Sequence, residues 1–84
     1  MSQIQGYHAH VYFDAETIEQ ARTLCETVAE KFGVAMGRIH ERLVGPHVDW
    51  SCQLAFDHGQ FADVMLWLAL NRGGLVVLIH PLTG

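Results

Sequence analysis

Apolar and polar side chains alternate at the beginning of the chain. Residues 7–13 read Tyr-His-Ala-His-Val-Tyr-Phe, an aromatic and β-branched run with a period of two, which is typical of a strand with two unlike faces. The period becomes helical over residues 15–32, where Asp14 is placed to cap the first turn and Gly33 to end the helix. The inward stripe of this predicted helix contains Ile18, Ala21, Leu24, Cys25, Val28 and Phe32.

The second half of the chain contains three further strand patterns and one helix pattern. Residues 38–44 and 49–56 predict two strands, which are separated by a break at Gly45-Pro46-His47. Asp57 is placed to cap a second helix that ends at Asn71-Arg72-Gly73-Gly74, with an inward stripe of Phe61, Val64, Met65 and Leu68. Residues 75–80 are apolar up to His80, which predicts an interior or face-covered strand that Pro81 stops.

The resulting order, βαββαβ, predicts an α+β domain of the ferredoxin-like type, with two helices on one face of a four-stranded antiparallel sheet. The predicted helix-facing residues are Tyr7, Ala9, Val11, Phe13, Trp50, Cys52, Leu54 and Phe56. The opposite, open face is predicted to carry His8, His10, Tyr12, Arg38, His40, Arg42, Ser51 and Gln53. Imidazoles, guanidinium groups and a phenol in one patch indicate either a chemical site or a polar partner surface.

Length and composition narrow the class of protein. The 84 residues are half apolar and predict a single domain over residues 1–84. No apolar run reaches about 18 residues, and the first residues lack a basic, apolar leader, so we expect a soluble cytoplasmic protein with no membrane partner. A net charge of −4 with only five scattered Lys and Arg disfavours nucleic acid as a partner. Cys25 and Cys52 are expected to be buried, reduced thiols.

Six histidines are the unusual feature of the composition. His8 and His10 are two apart on a strand, so both point to one side, about 7 Å apart. In the ferredoxin-like plan the last strand runs antiparallel beside the first, which brings His80 close to His8. His47 lies in the hairpin after the second strand, so it must fold over the open face or come from a second subunit to join them. Surface roles are expected for the remaining two, His40 and His58.

Four stretches together resemble the DOPA 4,5-dioxygenase family, in the family's order. They are Tyr7 to Asp14 (YHAHVYFD), Val44 to His47 (VGPH), Trp67 to Gly73 (WLALNRG) and Val77 to Gly84 (VLIHPLTG). The resemblance implies a small enzyme that uses non-haem Fe(II) and O₂ to cleave a catechol ring outside its two hydroxyls. The family usually continues into a short tail beyond this point. If that tail helps to close the pocket, a chain that ends at Gly84 is expected to be a fragment or inactive.

This chemistry suggests roles for the candidate residues. Three protein ligands on one side of an iron leave positions open for substrate and O₂, and the predicted metal ligands are His10, His47 and His80. His8 is the predicted catalytic acid–base group, and Tyr12 and Arg42 are predicted to bind the catechol substrate, Arg42 through its planar fork. The carboxylate of a facial triad is not obvious. The candidates for it are Asp14, Glu41 and Asp49, and an all-histidine site is the alternative.

Two function classes remain open from the sequence. The first is an Fe(II)-dependent extradiol dioxygenase of the DOPA type. The second is a non-catalytic ferredoxin-like dimeric binding module, in which the open face is an interface or a small-molecule pocket. A homodimer is expected in either case, because so short a chain has a modest core and a partner would add buried surface.

Overall fold

The computed structural model describes residues 4–40 and 50–83 and confirms the ferredoxin-like α+β fold. The chain forms β1 (Ile4–Phe13), α1 (Ile18–Phe32), β2 (Ala35–His40), β3 (Trp50–Phe56), a 3₁₀ turn (His58–Gln60), α2 (Phe61–Asn71) and β4 (Val77–Thr83). The strands form one sheet in the order β2-β3-β1-β4, and every neighbouring pair is antiparallel. Side chains of the two middle strands, β1 and β3, therefore lie at the centre of each face of the sheet.

The core lies between the helices and one face of the sheet. Alternate residues of β1 and β3 are buried there, as the period of two predicts. Of the eight residues predicted to face the helices, only Trp50 is partly exposed. The helices contribute Ala21, Cys25 and Val28 from α1 and Val64 and Leu68 from α2. Both cysteines are free and buried, as expected. The other face of β1 and β3 has no helix over it in the described part of the chain.

The first helix begins later than its apolar spacing predicts. Asp14 caps the turn that precedes the helix rather than the helix itself, since the Asp14 carboxylate accepts hydrogen bonds from the backbone N–H groups of Glu16 and Thr17, at 2.9 and 3.0 Å. Residues 15–17 therefore form a turn, and α1 starts at Ile18. The bond from the Thr17 hydroxyl is the largest cause of a lowered Asp14 pKa. The predicted end is correct, since Gly33 has the left-handed φ of 67° that glycine tolerates.

The second helix is preceded by the 3₁₀ turn, whose amino end Asp57 caps. The Asp57 carboxylate accepts from the Gln60 N–H at 3.1 Å, and the Gln60 side chain accepts from the Asp57 N–H at 3.2 Å. This reciprocal pair is a capping box. In residues 4–40 and 50–83, no helix is long and apolar enough to cross a membrane.

Side-chain hydrogen bonds to backbone carbonyls stabilise the turn after α2. The Asn71 amide donates to the Trp67 carbonyl at 2.8 Å, Arg72 Nη1 donates to the Leu75 carbonyl at 2.9 Å, and the Gln20 amide donates to the Gly73 carbonyl at 2.8 Å. These polar side chains satisfy backbone carbonyls around the helix end. They fix the position from which β4 enters the sheet beside β1.

The last strand differs from its prediction in place and length. It lies at the edge of the sheet rather than in the interior, although Val77 and Ile79 pack against the core as the face-covered alternative predicts, and it continues through Pro81 to Thr83. An edge strand tolerates proline, because an amide that faces away from the neighbouring strand has no ladder bond to lose. The second strand begins earlier than predicted, at Ala35. The break predicted at Gly45-Pro46-His47 lies outside the described residues.

Candidate metal centre

Three histidines meet on the open face, where β1 and β4 run side by side. His8 and His10 are alternate residues of β1, and His80 of β4 lies directly opposite His8 in the strand register. One ring nitrogen from each histidine can be chosen so that all three atoms lie within 4.8 Å of one another. The convergence expected from topology is thus confirmed.

His10 and His80 form the closest pair in this cluster. Their Nε2 atoms are 3.1 Å apart, and their rings stack with centroids 5.2 Å apart and an angle of 14° between planes. His80 Nδ1 lies 3.4 Å from the Pro81 carbonyl oxygen, which can only accept, so Nδ1 carries the donated proton. With that tautomer, His80 Nε2 presents a lone pair toward His10. In the metal-free protein His10 Nε2 would therefore be the donor of this pair.

His8 completes the cluster from a different direction. Its ring stands nearly perpendicular to those of His80 and His10, with centroid distances of 5.5 and 6.1 Å. The His8 pKa is lowered, first by partial burial and second by the positive charge that His80 can carry. Both effects disfavour the imidazolium form. His8 is thereby kept neutral, and a neutral imidazole is the form that can bind a metal ion.

The donor set fits a transition-metal ion. Imidazole nitrogen suits iron, zinc, copper and nickel. Two donors 3.1 Å apart are spaced as two nitrogens at about 2.1 Å from one ion would be. No carboxylate joins the three histidines among the residues that the structure describes, and Asp14 is engaged in the turn before α1. Within those ranges the site is composed of histidines alone.

Apolar and aromatic side chains border the histidines. Tyr12 follows His10 on the same face of β1, with ring centroids 6.4 Å apart. Leu78 lies opposite His10 in the register of β1 and β4 and is 51% exposed. Leu78 was not predicted to lie at the site. Residues 75–79 are all apolar, so the sequence does not show the alternation that places Leu78 on the same face as His80. Gln53 of β3 flanks His10 on the other side.

Several predicted site residues cannot be placed. Arg42, His47, Glu41 and Asp49 lie outside the described residues, so their predicted roles stay predictions. His58 is exposed at the start of the 3₁₀ turn, away from the open face, and its Nδ1 lies 3.3 Å from the Tyr7 hydroxyl. The structure thus brings together three of the four histidines assigned to the chemistry, His8, His10 and His80.

Comparison with known sequences gives one consistent family. The sequence model of the Dopa 4,5-dioxygenase family matches residues 7–84. The chain is 32% identical to a DOPA 4,5-dioxygenase of Amanita muscaria over 91 aligned residues, which cover 98% of this chain and 40% of that protein. It is also 34% identical to a 21.2 kDa protein of Botryotinia fuckeliana, covering 98% of this chain and 48% of that protein. The chain therefore spans less than half the length of these curated relatives.

A solved structure supports the same grouping. A crystal structure of a candidate dioxygenase from Nostoc punctiforme superposes with a TM-score of 0.80 at 45% sequence identity. The match covers 96% of this chain and 70% of that one. The two chains therefore share much of their sequence as well as their fold.

Proposed function

The chain belongs to the Dopa 4,5-dioxygenase family, and on that premise we propose that it is a non-haem Fe(II) extradiol dioxygenase acting on a catechol of the DOPA type. The observation that carries the proposal is the bonding of His80, whose Nε2 lies 3.1 Å from His10 Nε2 while its Nδ1 donates to a backbone carbonyl. Metal-binding histidines almost always donate their other ring N–H to such a partner, which fixes the tautomer and ring orientation.

The proposed ligands within the described residues are His8, His10 and His80. Fe(II) held there would supply open positions for a catechol and O₂ together, and a route for electrons between them. Tyr12 offers an aromatic ring beside His10, against which a flat ring can pack. Whether His8 is a ligand or the predicted acid–base group is decided by His8→Ala. The variant loses metal in the first case and keeps it, with slower turnover, in the second.

Oxygen consumption by the Fe(II)-loaded chain tests the reaction. We expect one O₂ to be consumed for each catechol, with loss of the aromatic absorbance and formation of a ring-opened product. The isomeric 1,4-diol, hydroquinone, is the matched control, since its hydroxyls cannot both reach one ion. A chain that binds Fe(II) but consumes no oxygen with a range of catechols would contradict the proposal and support the non-catalytic binding module.

We also propose that the protein is a homodimer in which the copies meet over the open-face side of β4. Val76 and Leu78 are 64% and 51% exposed there, and they form an apolar strip beside the histidines. A second copy would bury this strip and keep water from the metal site.

Sedimentation at micromolar concentration is expected to show a species of two 9.4 kDa chains. Leu78→Asp should shift it to the monomer, because a carboxylate would be buried at the contact. Leu70→Asp on α2, where the side chain is 77% exposed, is the control and should leave the mass unchanged. A strict monomer for the unaltered chain would rule the dimer out.

A further inference from the structure

Arg38 lies on the open face, across the sheet from the histidines. The register of β2 against β3 shifts between Met36 and Ile39, and both of these side chains pack against the core. Gly37 and Arg38 therefore lie between them as a bulge opposite Gln53 of β3, which belongs to the open face. The Arg38 side chain is exposed.

Arg38 differs from the other described cations because it has no partner among the residues that the structure describes. Arg22 Nε lies 3.4 Å from the Glu19 carboxylate, and Arg72 donates to the Leu75 carbonyl. Lys31 Nζ stands 5.8 Å from the centroid of the Phe32 ring. Within residues 4–40 and 50–83, Arg38 makes no hydrogen bond or ion pair. None of these described residues occupies the donors of the Arg38 guanidinium, which is the basis for considering them as a ligand contact.

The distance from Arg38 to the histidines suits a small aromatic acid. Gln53 lies opposite His10 of β1, and on its other side it faces the bulge of β2 that contains Arg38. Neighbouring strands are about 4.8 Å apart, so the Arg38 and His10 backbones are separated by roughly 10 Å. A catechol whose hydroxyls lie at the histidines and whose ring extends over Gln53 would carry a short side chain toward Arg38.

We propose that Arg38 determines substrate specificity by binding the carboxylate of a catechol that carries a short acidic side chain, of the arylpropanoate or aromatic amino-acid class. This inference rests on the proposed function, since it takes the diol to be held at the histidines. The planar guanidinium fork matches a carboxylate through two parallel N–H···O bonds, which a point charge cannot reproduce. The acid group is thereby selected at one end of the face while the diol is bound at the other.

Binding to the full chain loaded with Zn(II), which does not turn over, tests the inference by calorimetry. The two probes are 3-(3,4-dihydroxyphenyl)propanoate and 4-ethylcatechol, which share the ring and two side-chain carbons but differ in the acid. We expect the unaltered chain to bind the acid at least about tenfold more tightly, as one charge-assisted contact allows. Arg38→Gln should abolish this preference and leave 4-ethylcatechol affinity unchanged, and Arg38→Lys should restore only part of it.

Two other arginines serve as controls. Arg22→Gln, on α1 and paired with Glu19, should retain the full preference for the acid. If the preference is instead lost in Arg42→Gln and kept in Arg38→Gln, the carboxylate belongs to Arg42 and the inference is wrong. It is also wrong if the unaltered chain shows no preference, or if Arg38→Gln weakens both probes equally, which would indicate a structural role.

Oxygen uptake by the Fe(II) form separates this inference from the reaction on which it rests. A preference for the acid that depends on Arg38, without any oxygen uptake, would contradict the dioxygenase proposal and leave the carboxylate site standing. Oxygen uptake at equal efficiency with both catechols would support the reaction and overturn the role of Arg38. Failure of the Zn(II)-loaded chain to bind either probe would overturn both.

Discussion

Replacement of His10 or His80 with alanine is expected to abolish metal binding and catechol-dependent oxygen uptake together. Each change removes one nitrogen of the pair whose Nε2 atoms are 3.1 Å apart. Loss of a partner behind a ligand typically weakens metal binding by about 10–100-fold, so loss of the ligand itself should exceed that range. Metal stoichiometry after anaerobic loading and oxygen consumption with a catechol are the measurements.

Stability must be followed in the same variants, because the two histidines are not equally exposed. His10 is only 6% exposed, although it is on the open face, so His10→Ala is expected to cost roughly 1–2 kcal/mol of unfolding free energy. His80 is half-buried and should cost less. His80→Ala therefore separates loss of the metal from loss of the fold better than His10→Ala does.

His58→Ala is the matched histidine control. It removes an exposed imidazole whose contact is a 3.3 Å hydrogen bond with Tyr7, so it should cost roughly 0.5–1 kcal/mol and keep full metal occupancy. Full occupancy in folded His10→Ala and His80→Ala would show that the assigned site is wrong, and the interaction-module hypothesis would then gain support.

The sequence predicted the parts of the fold that depend on local period and on chain order. The alternation in residues 7–13 correctly divides β1 into a buried face and a histidine face. The meeting of His8 and His80 follows from chain order alone, because the βαββαβ order leaves few positions for the last strand. These predictions rest on strong constraints, since a one-residue slip would bury the histidines and expose the core.

The errors arise where the sequence pattern has two physical meanings. A continuous apolar run occurs in interior strands, but in β4 it occurs at an edge, where Leu78 is exposed beside His10. Pro81 suggested a stop, but an edge strand can continue through proline. Asp14 has the position and the hydrogen bonds of a cap, but the N–H groups that it caps belong to the turn of residues 15–17, and α1 begins only at Ile18. Whether a strand lies at an edge or in the interior of the sheet is decided by tertiary contacts.

Arg38 illustrates a further limit of pattern analysis. The sequence placed both Arg38 and Arg42 on the open face and favoured Arg42 for the substrate. What distinguishes Arg38 is the bulge opposite Gln53 and the fact that the other described cations already have partners. Neither feature can be predicted from the spacing of residues. A bulge shifts the register of two strands without changing the sequence pattern, and the partners of a cation depend on the folded structure.

Metal affinity is expected to fall as the pH is lowered below about 6.5, the ordinary pKa of imidazole, because protons compete with the ion for the ring nitrogens. His8 should resist this competition longer than an ordinary histidine, since burial first and the His80 charge second lower its pKa. The contribution of His8 to affinity is therefore fully present above pH 6.5. It persists through that pH and disappears only as the pH falls through the lowered value.

A Zn(II) titration from pH 8 to pH 5, on the unaltered chain and on His8→Ala, measures this contribution directly. The difference in log affinity between the two proteins should be largest at pH 8 and be lost at a lower pH than an ordinary histidine would give, because a protonated His8 binds no better than alanine. A difference that is lost with a midpoint at or above pH 6.5 would mean that the His8 pKa is not lowered. Equal affinity of both proteins at every pH would remove His8 from the ligand set and return it to the acid–base role.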